Sequence, residues 1–368
     1  MTSRLAVATR KGLFVFRRAS AGWNLEVVSF LGDSVGLALH DPRDGALYAA
    51  LELGHFGAKL QKSLDGGRSW QPCGKPSYPP LPEGAEPEKN EMGQVIPHNV
   101  EKIWALAAGH PERPGQLWCG TIPGGLFESK DAGETWELNR PLWDHPKRKC
   151  WMGGGADLPG IHSILVHPQR PDTITVGVSC GGVWRSDDGG RSWRSAARGM
   201  VAEYMPPDGA EREEVQDPHS LAQCQAAPDV LWAQHHNGIF RSDDGAASWR
   251  RITAQPSSFG FAVCVHPRDP ERAWFVPAVK DEKRVPVDAR VIVTRTRDGG
   301  RSFDVLSQGL PQEHAYDLTY RHAFDIDASG DRLAFGSTTG SLWVSEDQGE
   351  VWQLVNAHLP PIYALRFV

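Results

Sequence analysis

The sequence predicts an all-β protein, a β-propeller of seven four-stranded blades. Three observations support this fold. One eight-residue phrase occurs six times, short strand patterns opening on Gly or a small residue precede most copies, and the copies start 49 to 66 residues apart. An interval of this size suits one four-stranded blade with its connections.

The repeated phrase begins with Ser or Thr, carries Asp at its third position and ends on an aromatic residue. Its copies are Ser63–Trp70, Ser129–Trp136, Ser186–Trp193, Ser242–Trp249, Thr296–Phe303 and Ser345–Trp352. The hydroxyl and the carboxylate can bind the backbone N–H groups of a tight turn, where Gly supplies a positive φ. We interpret the phrase as the turn between the third and fourth strands of a blade. Six acids spread around a ring cannot share one active site.

The order of strands within a unit can be read directly after residue 160. Ser163–Val166 is a first strand, Thr173–Val178 a second, Gly182–Arg185 a third, and Ser192–Arg194 opens a fourth. The other first and second strands are predicted at Gly36–Leu39 with Ala46–Glu52, Ile103–Ala108 with Gln116–Gly120, Leu221–Gln225 with Val230–His235, Phe261–Val265 with Ala273–Val276, and Ala323–Ile326 with Arg332–Gly336.

The ring is expected to close through the two ends of the chain. The first unit begins at Leu5–Thr9, which already has the pattern of a second strand. The missing first strand is found at Ile362–Val368, after the last complete unit. Such pairing removes free sheet edges, so residues 1–368 are expected to form a single propeller domain.

The composition excludes several functional classes. The 368 residues carry a formal net charge of -6 with acids and bases interspersed, so neither a nucleic-acid groove nor a membrane surface is indicated. No apolar run approaches the length of a membrane helix and no leader pattern stands at the start, which favours a cytoplasmic protein. The six cysteines are scattered and are interpreted as unpaired thiols. A closed ring needs no partner for stability, and a monomer is expected.

The phrase S-x-D-x-G-x-[ST]-W resembles the Asp-box, or bacterial neuraminidase repeat. Over its whole length the chain is similar to Asp-box propellers of the sialidase-like superfamily. That group includes sialidases, xyloglucanase-type glycosidases, sortilin-type receptors and a photosystem II assembly factor. The resemblance implies either a glycosyl-hydrolase-like enzyme or a binding module. Sialidases have six blades and an Arg-Ile-Pro segment, whereas this sequence predicts seven blades and lacks that segment, so a true sialidase is not expected.

Strand order assigns the connections to two faces of the ring. The repeated phrases and the first-to-second turns share one face, which we call the turn face. The opposite loop face receives the connections 71–100, 138–160, 198–218 and 306–320 and the expanded hairpin 279–290. Long loops on a rigid scaffold are the usual place for a functional site. We therefore expect a pocket on the loop face, over the central channel.

Histidines from four blades stand where first strands begin on the loop face, namely His98, His162, His219 and His322. Since first strands line a propeller channel, their imidazoles can converge there. His162, His219 and His322 would then serve as acid/base groups, or as ligands of a divalent transition metal such as Zn, Fe, Mn or Cu. Alternatively, each imidazole only binds the backbone of a neighbouring blade.

Two functional hypotheses follow. In the first, the protein is a hydrolase or lyase acting on a small polar, carbohydrate-like molecule. Glu101 and Arg321 would assist the three histidines, and Tyr363 would orient the substrate. The remaining pocket residues would be His98, His235, His236, Lys280, Lys283 and Arg284. In the second hypothesis the same face binds a peptide or protein partner without catalysis, as a receptor or an assembly factor does.

Overall fold

The computed structural model describes residues 4–153 and 156–368 and contains seven antiparallel four-stranded sheets. The predicted all-β, seven-bladed propeller is confirmed. Six sheets take four strands consecutive in sequence, in the order β4–β7, β8–β11, β12–β15, β16–β19, β20–β23 and β24–β27. The remaining sheet has the order β28-β1-β2-β3. We number this mixed sheet blade 1 and the others blades 2 to 7 in chain order.

The strand bounds are as follows. They are β1 Arg4–Thr9, β2 Gly12–Ala19, β3 Gly22–Ser29, β4 Ser34–His40, β5 Leu47–Glu52, β6 Ala58–Ser63, β7 Gln71–Pro72, β8 Lys102–Ala108, β9 Leu117–Ile122, β10 Leu126–Ser129, β11 Glu137–Leu138, β12 Ile161–Val166, β13 Ile174–Val178, β14 Gly182–Ser186, β15 Arg194–Ser195, β16 Pro218–Gln223, β17 Leu231–His235, β18 Gly238–Ser242, β19 Arg250–Ile252, β20 Gly260–His266, β21 Asp269–Pro277, β22 Val293–Thr296, β23 Asp304–Leu306, β24 Phe324–Ile326, β25 Leu333–Gly336, β26 Leu342–Ser345, β27 Gln353–Asn356 and β28 Ile362–Phe367. The connections contain one short α-helix, Arg140–Trp143, and the 3₁₀ turns Gly54–Phe56, Pro146–Cys150, Glu213–Val215 and Val287–Ala289.

The ends of the chain close the ring, as the sequence predicts. Strand β28 pairs antiparallel with β1, for example Val7 with Leu365. Both residues are fully buried and belong to one apolar cluster with blade 7 residues such as Leu342. The last strand therefore becomes the innermost strand of blade 1, and the closure is covered by hydrophobic packing as well as backbone hydrogen bonds.

Each copy of the repeated phrase forms a hydrogen-bonded turn, here called the acidic turn. In the first copy the Ser63 hydroxyl accepts the N–H of Gly67 at 2.8 Å. The Asp65 carboxylate accepts the N–H and the hydroxyl of Ser69 at 2.9 and 2.6 Å. Gly67 has φ 91°, a conformation that favours glycine. These bonds satisfy the backbone of the tight turn, which is why the residue types recur.

The acidic turns lie on the turn face. They bind the first-to-second turn of their own blade through backbone hydrogen bonds, such as Ala132 N–H to Gly115 O and Gly189 N–H to Asp172 O, both 2.8 Å. The opposite ends of the strands carry the long connections, as expected for the loop face.

Buried indoles join neighbouring blades. Trp232 of blade 5 donates to the carbonyl of Pro270 in blade 6 at 3.1 Å. Trp274 of blade 6 donates to the carbonyl of Gln348 in blade 7 at 2.9 Å. Both rings are fully buried, so each tryptophan combines a large apolar contact with a satisfied N–H group.

None of the helical segments in residues 4–153 and 156–368 has the length and apolarity required to cross a membrane. All six cysteines are unpaired, as expected, and five of them are buried.

We predict that Leu365→Ala weakens the ring closure. Leu365 is fully buried in β28, whereas Leu354 in β27 is 50% exposed. Removing the buried side chain should lower the free energy of unfolding by about 2–5 kcal/mol because it deletes apolar contacts and leaves a cavity. The control Leu354→Ala should cost less than about 0.5 kcal/mol. Urea denaturation of the two variants measures both values, and equal losses would contradict the closure argument.

We also predict that the acidic turns make stability depend on acid pH. Hydrogen bonds from the neighbouring Ser192 lower the pKa of Asp188 to about 2, and Thr135 acts in the same way on Asp131. An unfolded aspartate titrates near 3.9. The stabilisation is therefore present above about pH 4 and is lost as the pH falls towards 2. Urea midpoints should fall over this window, and Asp188→Asn should reduce the size of the fall. A midpoint independent of pH from 4 to 2 would refute the prediction.

Candidate functional site

The first strands of most blades contain a β-bulge at their loop-face end. In the ladder registers, the extra residues are Tyr363 in blade 1, Gly36 in blade 2, Trp104 in blade 3, His162 in blade 4 and His219 in blade 5. A corresponding irregularity lies between Gly260 and Val263 of blade 6. Bulges turn a side chain out of the regular pleat and are frequent beside functional sites. We call these residues, with Phe261 and His322, the mouth ring.

The residues before β24 reach across the mouth of the channel. His322 of blade 7 uses Nε2 to bind the backbone carbonyl of His162 in blade 4 at 2.7 Å. Arg321 donates from Nε to the carbonyl of His219 in blade 5 at 2.7 Å, and its guanidinium lies 4.4 Å from the centre of the Trp104 ring. These contacts join blades that are not neighbours. Beneath them lies a channel cavity of about 360 Å³ lined by the first strands.

Among the described residues, the ring nitrogens of the predicted metal triad His162, His219 and His322 do not form one group of ligand atoms. Nε2 of His322 is occupied by the His162 carbonyl. Nδ1 of His162 lies 2.9 Å from the Ser163 hydroxyl, whereas its Nε2 is buried without a hydrogen-bond partner. Burial lowers the pKa of His322 to about 3 and that of His162 well below its ordinary value. Both imidazoles are therefore neutral at pH 7, and His322 spans the mouth instead of facing the other two.

A different group of metal-ligand side chains converges in blade 5, which we call the His–Asp cluster. Asp217, His219 and His236 each place one ligand atom within 4.8 Å of the others. Asp217 Oδ2 lies 3.4 Å from Nε2 of His219 and 3.5 Å from Nδ1 of His236. Among the residues that the structure describes, this is the one group of three or more such side chains.

The His–Asp cluster is held rigidly from outside. The other carboxylate oxygen of Asp217 accepts the hydroxyl of Ser179 at 3.1 Å and the backbone N–H of Cys180 at 3.0 Å. Burial alone would raise the pKa of Asp217, but His219 and His236 outweigh it and hold that pKa well below its usual range. Burial alone would lower the pKa of His236, but its contact with Asp217 outweighs burial and raises that pKa.

Aromatic rings surround the cluster. His219 stacks on Phe261 with ring centroids 4.6 Å apart, and the half-exposed Tyr204 meets His236 edge-on at 5.1 Å. The His236 side chain is 21% exposed. By contrast, His235 is fully buried and both of its ring nitrogens face backbone N–H groups, of Asp217 and Asn237. His235 therefore supports the β17–β18 hairpin and is not accessible to a ligand.

The expanded hairpin 279–290 brings one of its three predicted cations to the cluster. The Arg284 guanidinium lies 5.4 Å from the centre of the Phe261 ring and binds Asp281 through Nε at 2.9 Å. Lys280 pairs with Glu282 at 3.3 Å, and Lys280 and Lys283 are exposed. Arg284 is thus the hairpin cation nearest to the mouth ring.

Glu101 belongs to a second region of the loop face, a groove of about 620 Å³ that we call the acidic groove. Its lining includes the carboxylates Glu52, Glu101 and Asp157, with Lys102 among them. Lys102 Nζ binds Glu52 at 2.7 Å. In the bulge of blade 2, a methyl group at Gly36 would overlap the Glu52 carboxylate. Because Gly36 has no side chain, the Glu52 carboxylate occupies the space that a side chain at position 36 would fill.

Tyr363 lies beside the acidic groove. It lines an adjoining pocket of about 580 Å³ that shares Ser34, Glu52 and Leu53 with the groove. Lys102 Nζ lies 5.8 Å from the centre of the Tyr363 ring. The same pocket contains Phe56, which is 68% exposed. The two pockets form one recess with carboxylates at its centre and aromatic rings at one end.

His98 is separate from both regions. It binds the carbonyl of Pro79 and packs on Tyr78, and it lines a proline-rich pocket of about 470 Å³ under the 71–100 connection. The predicted site residues therefore fall into three places. His162, His219, His236, Arg284, Arg321 and His322 lie at the mouth over blades 4 to 7, Glu101 and Tyr363 lie at the acidic groove, and His98 lies apart.

Sequence reasoning missed Asp217 and Glu52. Asp217 stands two residues before His219, directly ahead of β16, and this nearness in the sequence is the signal that could have found it. Glu52 ends a second strand and enters the site only because Gly36 of another strand leaves space for it. No local pattern in the sequence predicts the contact between Glu52 and Gly36.

The protein is similar in sequence to two fungal xyloglucanases. It is 26% identical over 258 residues to the probable oligoxyloglucan-reducing end-specific xyloglucanase of Neosartorya fischeri, covering 62% of this chain and 29% of that protein. It is 25% identical over 294 residues to the oligoxyloglucan-reducing end-specific xyloglucanase of Emericella nidulans, covering 72% and 33%. The chain spans about a third of the length of these curated relatives. No protein-family model matches it.

The fold is similar to that of a solved enzyme. The GH74 xyloglucanase from Xanthomonas campestris superposes with a TM-score of 0.62 at 16% identity, over 96% of this chain and 52% of that one. This likeness supports the propeller architecture.

We predict that Arg321→Ala destabilises the protein by removing contacts across the channel mouth. The substitution removes the hydrogen bond to the His219 carbonyl and the contact with Trp104. The free energy of unfolding should fall by about 1–3 kcal/mol, because a charged donor is lost from a partly buried site. The matched control Arg290→Ala removes an exposed pair with Asp288 and should cost less than about 1 kcal/mol. Urea denaturation compares them, and equal costs would contradict a bridging role.

Proposed function

We propose that the protein is a glycoside hydrolase that binds an oligosaccharide in the acidic groove. The observation that carries the proposal is the presence of Glu52 and Glu101 in the lining of one groove. Hydrolysis of a glycosidic bond generally uses two carboxyl groups flanking the scissile bond, one as acid and the other as base or nucleophile. We assign these roles jointly to Glu52 and Glu101.

The surroundings of the two carboxylates support this assignment. Lys102 binds Glu52 at 2.7 Å and so holds that carboxylate in the groove. Phe56 and Tyr363 supply apolar ring faces at the end of the recess, suited to the apolar faces of sugar rings. The groove and the adjoining pocket, about 620 and 580 Å³, offer room for more than one sugar unit.

The sequence relatives indicate the class of substrate. Both fungal proteins are named as xyloglucanases specific for the reducing end of oligoxyloglucans. We therefore propose a β-glucan oligosaccharide as the substrate of this chain.

The test is hydrolysis of xyloglucan oligosaccharides, measured as the release of new reducing ends. Glu52→Gln and Glu101→Gln should each lower kcat by at least about 100-fold, because general acid or base catalysis contributes about that much. The control Glu313→Gln changes an exposed glutamate of the 306–320 connection and should leave kcat unchanged. Gly36→Ala should lower activity by displacing Glu52.

Three outcomes would refute the proposal. One is the absence of any turnover of oligosaccharides by the wild-type protein. Another is full activity in the Glu52→Gln or Glu101→Gln variant. The third is capture of a peptide partner by a protein that hydrolyses no glycan, which would establish the non-catalytic alternative.

A further inference from the structure

We infer that the His–Asp cluster is a binding site for a divalent transition-metal ion, with Asp217, His219 and His236 as its ligands. This inference is independent of the proposed glycan hydrolysis, because it concerns different residues of the loop face. Two histidines and one carboxylate form a ligand set that suits Zn²⁺, Co²⁺ or Fe²⁺, and such a set leaves further coordination positions open.

The spacing of the ligand atoms matches such a site. Bonds of about 2.0–2.2 Å in a tetrahedral site place neighbouring ligand atoms about 3.3–3.6 Å apart. The two separations from Asp217 Oδ2 are 3.4 Å to His219 Nε2 and 3.5 Å to His236 Nδ1. These distances are longer than an ordinary charge-assisted hydrogen bond of about 2.7–2.9 Å.

The hydrogen bond of His219 to the backbone also suits a metal ligand. Nδ1 of His219 lies 2.7 Å from the carbonyl of Gly260. A carbonyl only accepts hydrogen bonds, so Nδ1 must carry the proton. Nε2 then faces the Asp217 carboxylate, and either a proton on Nε2 or a metal ion between the two atoms makes this contact favourable. Metal-binding histidines commonly donate their other N–H to a backbone carbonyl in this way.

The remaining contacts complete the supporting layer of a metal site. Asp217 Oδ1 is held by the Ser179 hydroxyl and the Cys180 N–H, which leaves Oδ2 to face the two histidines. His219 is the extra residue of a bulge, which fixes its direction away from the pleat. The partial exposure of His236 gives an ion a route from solvent.

His236 is the partly exposed member of the cluster, and Tyr204 and Arg284 lie near it. Tyr204 is 40% exposed, and the Arg284 guanidinium packs over Phe261. A bound ion there would take water or the oxygen of an anionic or hydroxylated ligand, with Arg284 adding positive charge nearby. The structure thus assigns metal binding to Asp217, His219 and His236 instead of His162, His219 and His322.

The test uses the full chain after chelator treatment and dialysis. Titration with Zn²⁺ alone, followed by calorimetry, should show one ion bound per chain and an increase in Tm. Co²⁺ should give visible absorption bands of a tetrahedral or five-coordinate site. His236→Ala should weaken Zn²⁺ binding by about 100-fold or more, since a direct ligand is lost. Asp217→Asn should do the same.

The controls separate this inference from the proposed function. His358→Ala changes an exposed histidine and should bind Zn²⁺ like the wild type. Glu52→Gln should also retain full Zn²⁺ affinity, whatever its effect on glycan hydrolysis. No binding of Zn²⁺ or Co²⁺ by the wild type would overturn the inference. Unchanged Zn²⁺ affinity in a folded His236→Ala variant would overturn it as well. This variant is the decisive one, because Asp217→Asn can lose Zn²⁺ binding through misfolding.

Discussion

The β-bulge at the loop-face end of the first strands is the constraint on which the candidate sites depend. A regular strand alternates its side chains between the two faces of the sheet, and the two faces of a blade are packed against its neighbours. One extra residue breaks that alternation and turns a side chain out of the packed sheet. His162 and His219 owe their positions to this irregularity. Because the bulge recurs at the same position in successive blades, residues far apart in the sequence lie together around the mouth of the channel.

Ring closure gives the bulges a common frame. Strand β28 completes blade 1 and brings Tyr363, near the end of the chain, beside residues of blades 2 and 3. The acidic turns fix the other face through bonds within each blade. Because the N–H groups of the acidic turns are satisfied within their own blades, the loop face can vary without loss of the fold.

The loop face is divided into two chemically different regions. The acidic groove combines carboxylates with Lys102 and aromatic rings, a set suited to neutral sugar substrates. The His–Asp cluster combines two imidazoles with one buried carboxylate, a set suited to a metal ion. Arg321 and His322 lie between them and bind backbone carbonyls across the mouth. Arg321 and His322 stand at the start of a first strand, and that position in the sequence suggested catalysis. Their hydrogen bonds in the structure are to backbone carbonyls of other blades.

The sequence by itself determined the number of blades, the closure by Ile362–Val368 and the face that carries the long loops, because these features depend on periodic residue types that repeat locally. It also located the histidines at the starts of first strands. Which histidines meet was decided only by the tertiary structure, since convergence depends on the direction of each bulge and on contacts between distant blades. His219 pairs with Asp217 and His236, while His322 is occupied by the carbonyl of His162. Glu52 enters the groove because Gly36 has no side chain, a matter of space between two strands that no single stretch of sequence contains.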